Sequence, residues 1–157
     1  MPLPRVQPII PTSRNEPFDD PEWLFEFKYD GFRALYHLER GRRRLISRRG
    51  NILDRFAALG EQMAAELGVD EAILDGEVIA ADETGRPRFY ELLRRARAPS
   101  YVAFDLLWLD GTDLRPLPLS ERRQRPAEHS AERIGGDLRS ALGSGPRARA
   151  LRAHARS

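Results

Sequence analysis

The sequence predicts an α+β fold, mostly antiparallel sheet with short helices packed outside it. Stretches that alternate apolar with polar residues are separated by short glycine-containing turns, which is typical of antiparallel strands. Between Asp54 and Gly68 the apolar residues instead follow helical spacing. At 157 residues, 41% of them hydrophobic, the chain is long enough for one domain with a substantial core.

The first part of the chain predicts an extended lead-in followed by a β-meander. Residues 1–21 hold six of the twelve prolines, which favours an extended path along the surface. The turns of the meander are predicted at Asp30-Gly31 and Arg40-Gly41. Its strands are predicted over Trp23 to Lys28, Phe32 to Glu39 and Arg44 to Ser47.

Helices and longer strands follow the meander. Asp54 is placed to cap a helix that carries Phe56, Leu59, Met63 and Leu67 on one face and ends at Gly68. Short helices are predicted from Phe89 to Arg97 and from Ser120, which would be an N-cap. Strands are predicted over Ala72 to Ala81 and over the apolar run Tyr101 to Leu109, the second of them buried and central.

The composition changes after Arg123. Residues 1–123 carry 19 basic against 21 acidic side chains, whereas residues 124–157 carry seven arginines against three acids. Pro126 and Gly135-Gly136 oppose a continuing helix, and the second stretch has few large aliphatic residues. We therefore expect a folded domain over residues 1–123 and a disordered Arg/Ala/Gly-rich tail over residues 124–157.

Several classes of protein are excluded by composition. The chain has no cysteine, which rules out disulfides and thiolate metal sites. Its first residues contain no uninterrupted apolar run, so they predict neither a signal peptide nor a membrane anchor. We expect a cytoplasmic protein with no membrane partner. The net charge of +2 is too small to indicate nucleic-acid binding by itself.

Lys28 is the only lysine among the 26 Lys and Arg residues. Arginine stays protonated and is a poor nucleophile, whereas a lysine amine can lose its proton and attack an electrophile. Arg33 lies close by in sequence and could hold phosphate oxygens during such an attack. Glu77, an acid in the middle of a predicted strand, needs a partner such as a ribose hydroxyl or Mg²⁺. This pattern favours covalent attack on a phosphorus or carbonyl centre.

The residues around Lys28 also carry a resemblance to a known family. Lys28-Tyr29-Asp30-Gly31-Phe32-Arg33 matches K-x-D-G-x-R, the nucleophile motif of covalent nucleotidyltransferases. Three further segments resemble later motifs of that family in the family's order: Ser47-Arg48-Arg49-Gly50, Asp75-Gly76-Glu77-Val78 and Phe104-Asp105-Leu106-Leu107. Pro17 to Trp23 resembles bacterial ATP-dependent DNA ligases of the end-joining type. The resemblance runs from about residue 8 to Arg123 and implies the front part of a ligase adenylation domain.

The resemblance implies a reaction and a set of site residues. Lys28 would attack the α-phosphate of ATP and become lysyl-AMP. AMP would then pass to a DNA 5′-phosphate, where the 3′-hydroxyl displaces it. Glu77 would bind the ribose or help place Mg²⁺, and Phe104 would stack on the adenine. The nucleotide-binding set is Glu26, Lys28, Arg33, Arg48, Glu77 and Phe104.

The same resemblance implies partners and a place of action. The partners would be DNA with nicks or ends, together with other end-joining repair proteins, in DNA repair or recombination. The protein would act in the bacterial cytoplasm, on the nucleoid when bound to DNA.

The sequence departs from the family after Arg123. The family's later lysine-containing segments have no counterpart here, because Lys28 is the only lysine. A counterpart of the family's C-terminal OB-fold is not expected either. The adenylation domain is therefore predicted to be incomplete at its C-terminus, and the chain weak or inactive. A frameshifted or truncated gene is one hypothesis for the change of composition. Translating the encoding DNA in the other two frames after codon 123 tests it.

Alternative interpretations stand beside these predictions. The chain could be an RNA-ligase or capping-type nucleotidyltransferase, or a non-catalytic nucleotide-binding remnant. Glu77 could be the ion-pair partner of an arginine, and Phe104 could be an ordinary core residue. Arg48 could be a solvated strand end, and Asp30 could serve only to shape its turn.

Overall fold

The computed structural model describes residues 2–23, Phe25 and residues 28–123. Its five strands form one antiparallel sheet. The strands are β1 (Phe32–Glu39), β2 (Arg42–Ser47), β3 (Glu71–Ile79), β4 (Ser100–Leu109) and β5 (Thr112–Asp113), and their order is β2-β1-β3-β4-β5. The helices are α1 (Ala57–Leu67), preceded by a 3-10 turn at Asp54–Phe56, and α2 (Phe89–Leu93). The predicted α+β fold is confirmed.

Two tight hairpin turns have glycine as the second of their two central residues. Arg40-Gly41 joins β1 to β2 with φ angles of 47° and 80°, and Asp110-Gly111 joins β4 to β5 with 41° and 84°. Positive φ at both central residues is what a two-residue hairpin with type I′ geometry requires. The Asp110 carboxylate also accepts the backbone N–H groups of Asp70 and Glu71, which ties this turn to the start of β3.

Most of the core lies on one face of the sheet. Alternate residues of β1, β3 and β4 point to this face, among them Tyr36, Leu74 and Tyr101. They pack against the apolar side of α1 and its preceding turn, which contributes Phe56, Leu59, Met63 and Leu67. Gly68 ends α1 with a φ of 62°, in the left-handed conformation common after helices, as the sequence predicts.

The opposite face of the sheet has a smaller apolar cluster. Leu35, Ile73, Leu107 and Trp108 form it, and Leu3 and Val6 of the lead-in pack against them. The lead-in residues Pro2 to Pro8 and the β1–β2 hairpin enclose a cavity of about 660 Å³. No helix in the described part of the chain has the length and apolar character needed to cross a membrane.

Two glycines permit the close approach of neighbouring strands. A Cβ on Gly31 would lie 2.1 Å from the carbonyl oxygen of Val78. A Cβ on Gly76 would lie 2.3 Å from the carbonyl oxygen of Val102 and 2.7 Å from the Tyr101 ring. Any larger residue would therefore push β1 or β4 away from β3.

The strand predicted over Trp23 to Lys28 is wrong for its described residues. Trp23, Phe25 and Lys28 lie outside strands, and Leu24, Glu26 and Phe27 fall outside the described residues. Trp23 and Phe25 instead contact Phe18, with ring centroids 5.2 and 5.4 Å away. A strand needs a partner, and both edges of the neighbouring β1 are already paired, with β2 and with β3.

Both predicted helix N-caps are wrong. Asp54 lies inside the 3-10 turn and makes no capping bond; the Leu53 carbonyl accepts the Phe56 N–H instead. Ser120 lies inside a helix that already includes Leu119, because the Pro118 carbonyl accepts the N–H groups of Glu121 and Arg122.

Two other predicted elements differ in extent or position. α2 ends at Leu93 rather than Arg97, because Arg95 adopts a left-handed conformation. The apolar strand β4 is buried but not central, since β3 occupies the middle of the sheet. The predicted tail, residues 124–157, falls outside the described residues.

Candidate active site

A buried ion pair lies at the start of β1. The Arg33 guanidinium donates to both carboxylate oxygens of Asp75, at 2.7 and 2.8 Å. Arg33 faces Glu77 in the β1–β3 register, so it reaches Asp75 diagonally, on the same face of the sheet. The Asp75 side chain is only 7% exposed, and its charge is therefore compensated by Arg33. This pair fixes the orientation of an arginine that the sequence predicts to bind ribose or phosphate.

Glu77 lies beside this pair without making an ion pair to any described residue. Burial raises the pKa of the Glu77 carboxyl, and the Gly31 backbone N–H, Arg33 and Lys28 oppose the increase. The arginine nearest to it has Asp75 as its partner, so the interpretation of Glu77 as an arginine's ion-pair partner is not what the structure shows. A half-buried carboxylate whose oxygens keep acceptor positions beside the Gly31 N–H can accept ribose hydroxyls or bind a cation.

Phe104 lies over Arg33 rather than in either apolar core. It is the extra residue of a β-bulge, because Asp75 pairs with Asp105 whereas Gly76 pairs with Ala103. The Arg33 guanidinium carbon lies 4.8 Å from the centroid of the Phe104 ring, and the Tyr29 ring is stacked 6.5 Å away. The interpretation of Phe104 as an ordinary core residue is therefore wrong for the described residues.

Lys28 lies near this group with its amine in solvent. Its side chain is 92% exposed, and its Nζ is 3.9 Å from Oδ1 of Asp30. Asp30 is itself largely exposed, so this contact is weak. Gly31, three residues further, lies directly against Glu77 and Val78 of β3. Because the amine has no buried partner, it does not have to break a strong contact before it meets a ligand bound at Arg33 and Glu77.

Arg48, another predicted site residue, has no described contact with this group. Arg48 is exposed in the turn after β2 and lines the cavity under the lead-in, with Arg5 and Arg49. Glu26 falls outside the described residues. The structure therefore brings together Lys28, Arg33, Glu77 and Phe104.

Sequence reasoning missed three residues that shape the site. Asp75 was part of a motif but not of the predicted site, and an acid inside an apolar strand was the signal available. Tyr29 occupies a variable position of the nucleophile motif, so no sequence signal marks its stacking on Phe104. Arg122 explains Asp105, the other acid in an apolar strand, since it donates two hydrogen bonds of 2.7 Å to that carboxylate.

The group can hold a nucleotide but cannot hold a metal by side chains alone. Among the described residues no three His, Asp or Glu side chains cluster as metal ligands. Mg²⁺ commonly takes one or two carboxylates and completes its shell with water and substrate phosphates. Glu77, with Asp30 near Lys28, fits that donor set. The aromatic ring, the arginine and the carboxylate match the base, the phosphates and the ribose of a nucleotide.

Comparison with known proteins identifies the relatives of this chain. The sequence profile described as "ATP dependent DNA ligase domain" matches residues 11–128. The multifunctional non-homologous end joining protein LigD of Mycolicibacterium smegmatis is 37% identical over 105 residues, which cover 66% of this chain and 14% of that protein. A DNA ligase of Pyrobaculum calidifontis is 39% identical over 129 residues, which cover 73% of this chain and 22% of that protein.

Two solved ligase structures are similar to this chain. The ligase domain of LigD from M. tuberculosis superposes with a TM-score of 0.58 at 32% identity, over 66% of this chain and 36% of that one. Mycobacterial DNA ligase D complexed with ATP and MES gives a TM-score of 0.59 at 30% identity, over 74% of this chain and 42% of that one. This chain thus spans only a part of each relative. Since the matching profile covers well over half of it, the chain belongs to the ATP dependent DNA ligase domain family.

Proposed function

We propose that this chain carries the self-adenylation step of ATP-dependent DNA ligation. The Lys28 Nζ attacks the α-phosphorus of ATP, a phosphorus–nitrogen bond forms, and the bond to the leaving pyrophosphate breaks. The amine gives up a proton, and the product is lysyl-AMP. AMP then passes to a DNA 5′-phosphate, and a 3′-hydroxyl displaces it to close the nick.

One observation carries this proposal: the only lysine of the sequence stands next to a site that offers a nucleotide an aromatic ring, an arginine and a half-buried carboxylate. Phosphoryl transfer depends mostly on positioning and on neutralising charge, so these side chains support self-adenylation, which we expect to be weak without the family's later lysines. The 92% exposure of Lys28 leaves its amine accessible to the phosphorus.

The side chains have distinct roles in this proposal. Phe104 stacks on the adenine, Glu77 accepts the ribose hydroxyls, and Arg33 neutralises phosphate charge while Asp75 holds it in place. Glu26 and Arg48 complete the nucleotide-binding set, and Arg48 later meets the 5′-phosphate of the nick. If Glu77 held Mg²⁺ instead of the ribose, the metal would supply charge neutralisation on the phosphates.

The proposed substrates and setting follow from the names of the relatives. The substrates are ATP and DNA with nicks or ends, and the process is DNA repair or recombination, with other end-joining proteins as partners. The proposed place of action is the bacterial cytoplasm, on the nucleoid when DNA is bound.

A second candidate function is that of a non-catalytic nucleotide-binding remnant. The observation that favours it is the absence of any lysine besides Lys28, since the resemblance implies further lysines that hold the triphosphate. Such a chain would bind adenine nucleotide weakly and form no covalent adduct.

Intact-mass spectrometry after incubation with ATP and Mg²⁺ distinguishes the two. We expect the parent chain to gain about 329 Da, the mass of one AMP attached through covalent catalysis. Lys28→Arg should gain nothing, because a guanidinium is not a nucleophile. GTP in place of ATP tests the capping-type alternative.

The single lysine permits a matched control. The double variant Lys28→Arg with Arg40→Lys keeps one lysine but places it in the β1–β2 turn, outside the site. It should stay unmodified. An unmodified parent chain would establish the remnant instead, and an adduct that persists in Lys28→Ala would refute the assignment of Lys28.

A further inference from the structure

A second cluster of arginines lies where α2 leads into β4. Arg94 and Arg95 are exposed, and neither makes an ion pair or a side-chain hydrogen bond with a described residue. Arg33, Arg88 and Arg122, by contrast, each hold a carboxylate. Arg94 and Arg95 thus present two adjacent free guanidinium groups, as the exposed Arg48 and Arg49 do beside the lead-in cavity.

The backbone holds Arg95 in a conformation that arginine disfavours. Its φ is 56°, and it occupies the residue after the end of α2. The Arg95 N–H donates to the Leu92 carbonyl and the Ala96 N–H to the Glu91 carbonyl, which is the hydrogen-bond pattern of a Schellman motif. Glycine is the usual residue at that position, because any side chain there is strained. The backbone therefore holds a charged side chain where glycine would be less strained, and a phosphate contact would give that charge a role.

Three arginines line a cavity at Arg95, and two of them are held by hydrogen bonds or ion pairs. A cavity of about 280 Å³ lies there, lined among others by Arg55, Arg95 and Arg97. Arg55 donates to the Leu92 and Leu93 carbonyls at 2.8 and 3.2 Å, which offsets the negative end of α2. Arg97 is held by Glu91 at 2.7 Å. An anion at this cavity would thus meet the free guanidinium group of Arg95, whose neighbour in the chain is Arg94.

The cluster lies at the same end of the sheet as the nucleotide site. Ser100, which follows the cluster, pairs with Ile79, and the neighbouring pair Glu77 and Val102 leads into the site. The arginines lie on the α-helical side of the sheet, where Leu92 joins the main core. Arg33 and Glu77 lie on the opposite side. A long polyanion that crosses this end of the sheet could contact both.

We propose that Arg94 and Arg95 contact the phosphodiester backbone of duplex DNA while its end lies at the nucleotide site. This inference rests on the proposed function for the identity of the polyanion. Guanidinium groups bind phosphate oxygens in pairs and release counterions, so the contact adds affinity without base specificity. The contact would hold the duplex beside the site during AMP transfer.

Replacement of Arg95 by glycine tests the inference, because it should stabilise the fold but weaken DNA binding. Arg95→Gly should raise the melting temperature, since it relieves the left-handed strain. It should weaken binding of the full chain to a fluorescent nicked duplex by about five- to tenfold at 0.1 M salt. The slope of log Kd against log salt concentration should fall by about 0.9, the value for one phosphate contact. Arg94→Gln should reduce the slope similarly.

Arg40→Gly is the matched control. Arg40 is also left-handed, with a φ of 47°, but it lies at the far end of the sheet, beside Asp70. This variant should leave the salt slope unchanged. A parent-like slope in Arg95→Gly, or a parent chain without salt-dependent DNA binding, would overturn the inference. Formation of the AMP adduct by Arg95→Gly at the parent rate separates this contact from self-adenylation, which needs no DNA.

Discussion

Asp75 and Asp113 each hold an arginine through two hydrogen bonds, yet their surroundings differ. Asp75 and Arg33 are bonded at 2.7 and 2.8 Å, and the aspartate side chain is 7% exposed. Asp113 and Arg115 are bonded at 2.8 and 2.6 Å, but both are more than a third exposed. Solvent screens the second pair, whereas removing one partner of the first leaves a half-buried charge uncompensated.

Truncation of the two aspartates should therefore have unequal costs. We expect Asp75→Ala to lower the free energy of unfolding by about 3 kcal/mol, because it leaves Arg33 unpaired beneath Phe104. Asp113→Ala should cost less than about 1 kcal/mol after allowance for solvent screening. Urea denaturation of both variants measures the difference. Equal losses would mean that burial does not set the strength of the Arg33–Asp75 pair.

At this scale the sequence predicts which residues lie close together better than it predicts their partners. The positions of Lys28, Arg33, Glu77 and Phe104 were predictable because each stands in a short motif with a chemical role. The partnership of Arg33 with Asp75 was not, because it depends on the register of β1 against β3. A solvated strand end remains the structural description of Arg48, which is exposed beside the lead-in cavity.

Gly76 lies in a strand and Gly60 in a helix, and the two positions differ in the space available for a side chain. Gly76 lies in β3 under the ring of Tyr101, and backbone atoms of β4 occupy the space of a side chain. Gly60 lies in α1, where a Cβ would meet the Tyr36 ring at 3.7 Å, an ordinary contact distance. In a strand pressed against its neighbour, glycine is needed, whereas in a helix interior it costs stability.

Alanine substitution should therefore change stability in opposite directions. Gly76→Ala should lower the free energy of unfolding by about 3 kcal/mol or more, since neither the Val102 carbonyl nor the Tyr101 ring can move away freely. Gly60→Ala should raise it by about 0.5–1 kcal/mol. Thermal and urea unfolding of the two variants test this. A neutral Gly76→Ala would show that β3 and β4 can separate without loss.

The elements themselves were largely predictable, and the exceptions share a cause. β1, β2, β3, β4 and α1 follow the predicted patterns because periodicity and turn glycines are local signals. The predicted strand over Trp23 to Lys28 has strand-like aromatic spacing, but spacing does not report whether a partner edge is available. The end of α2 depends on the conformation of Arg95, which no propensity predicts for arginine.

On the scale of the whole molecule, the two faces of the sheet are covered unequally. α1 and α2 cover one face, while on the other the described cover is the lead-in, which contacts the small cluster through Leu3 and Val6. Two ring nitrogens buried on that side, Nε2 of His37 and Nε1 of Trp108, lack a hydrogen-bond partner among the described residues. Unpaired buried polar groups cost stability, so a ring nitrogen without a partner would reduce the stability of this half of the molecule.

The stability of that half should depend on pH through His37. Burial and then Arg44 lower the pKa of the imidazole, and Glu39 opposes them. The folded state therefore binds a proton less readily than the unfolded chain, whose histidine has a pKa of 6.5. Stability from this group is present above that value and is lost as pH falls through the folded pKa.

A comparison of the parent chain with His37→Phe isolates this contribution. We expect the free energy of unfolding of the parent to fall more steeply than that of the variant between about pH 8 and about pH 5. Urea denaturation across this range measures both curves, and effects of all other titrating groups cancel in their difference. Parallel curves would mean that His37 reaches water when it is protonated.

The hydroxyl of Tyr101 has a consequence for synthesis of the chain. It donates to the Ala34 carbonyl of β1 at 2.8 Å and lies 3.2 Å from the Leu74 carbonyl of β3, across sequence separations of 67 and 27 residues. One group from a late strand thus anchors both strands that carry Arg33 and Glu77. Contacts so distant in sequence form late, after the intervening chain has been made. On the ribosome, nucleotide binding should begin only once residue 101 and the rest of β4 have emerged from the exit tunnel.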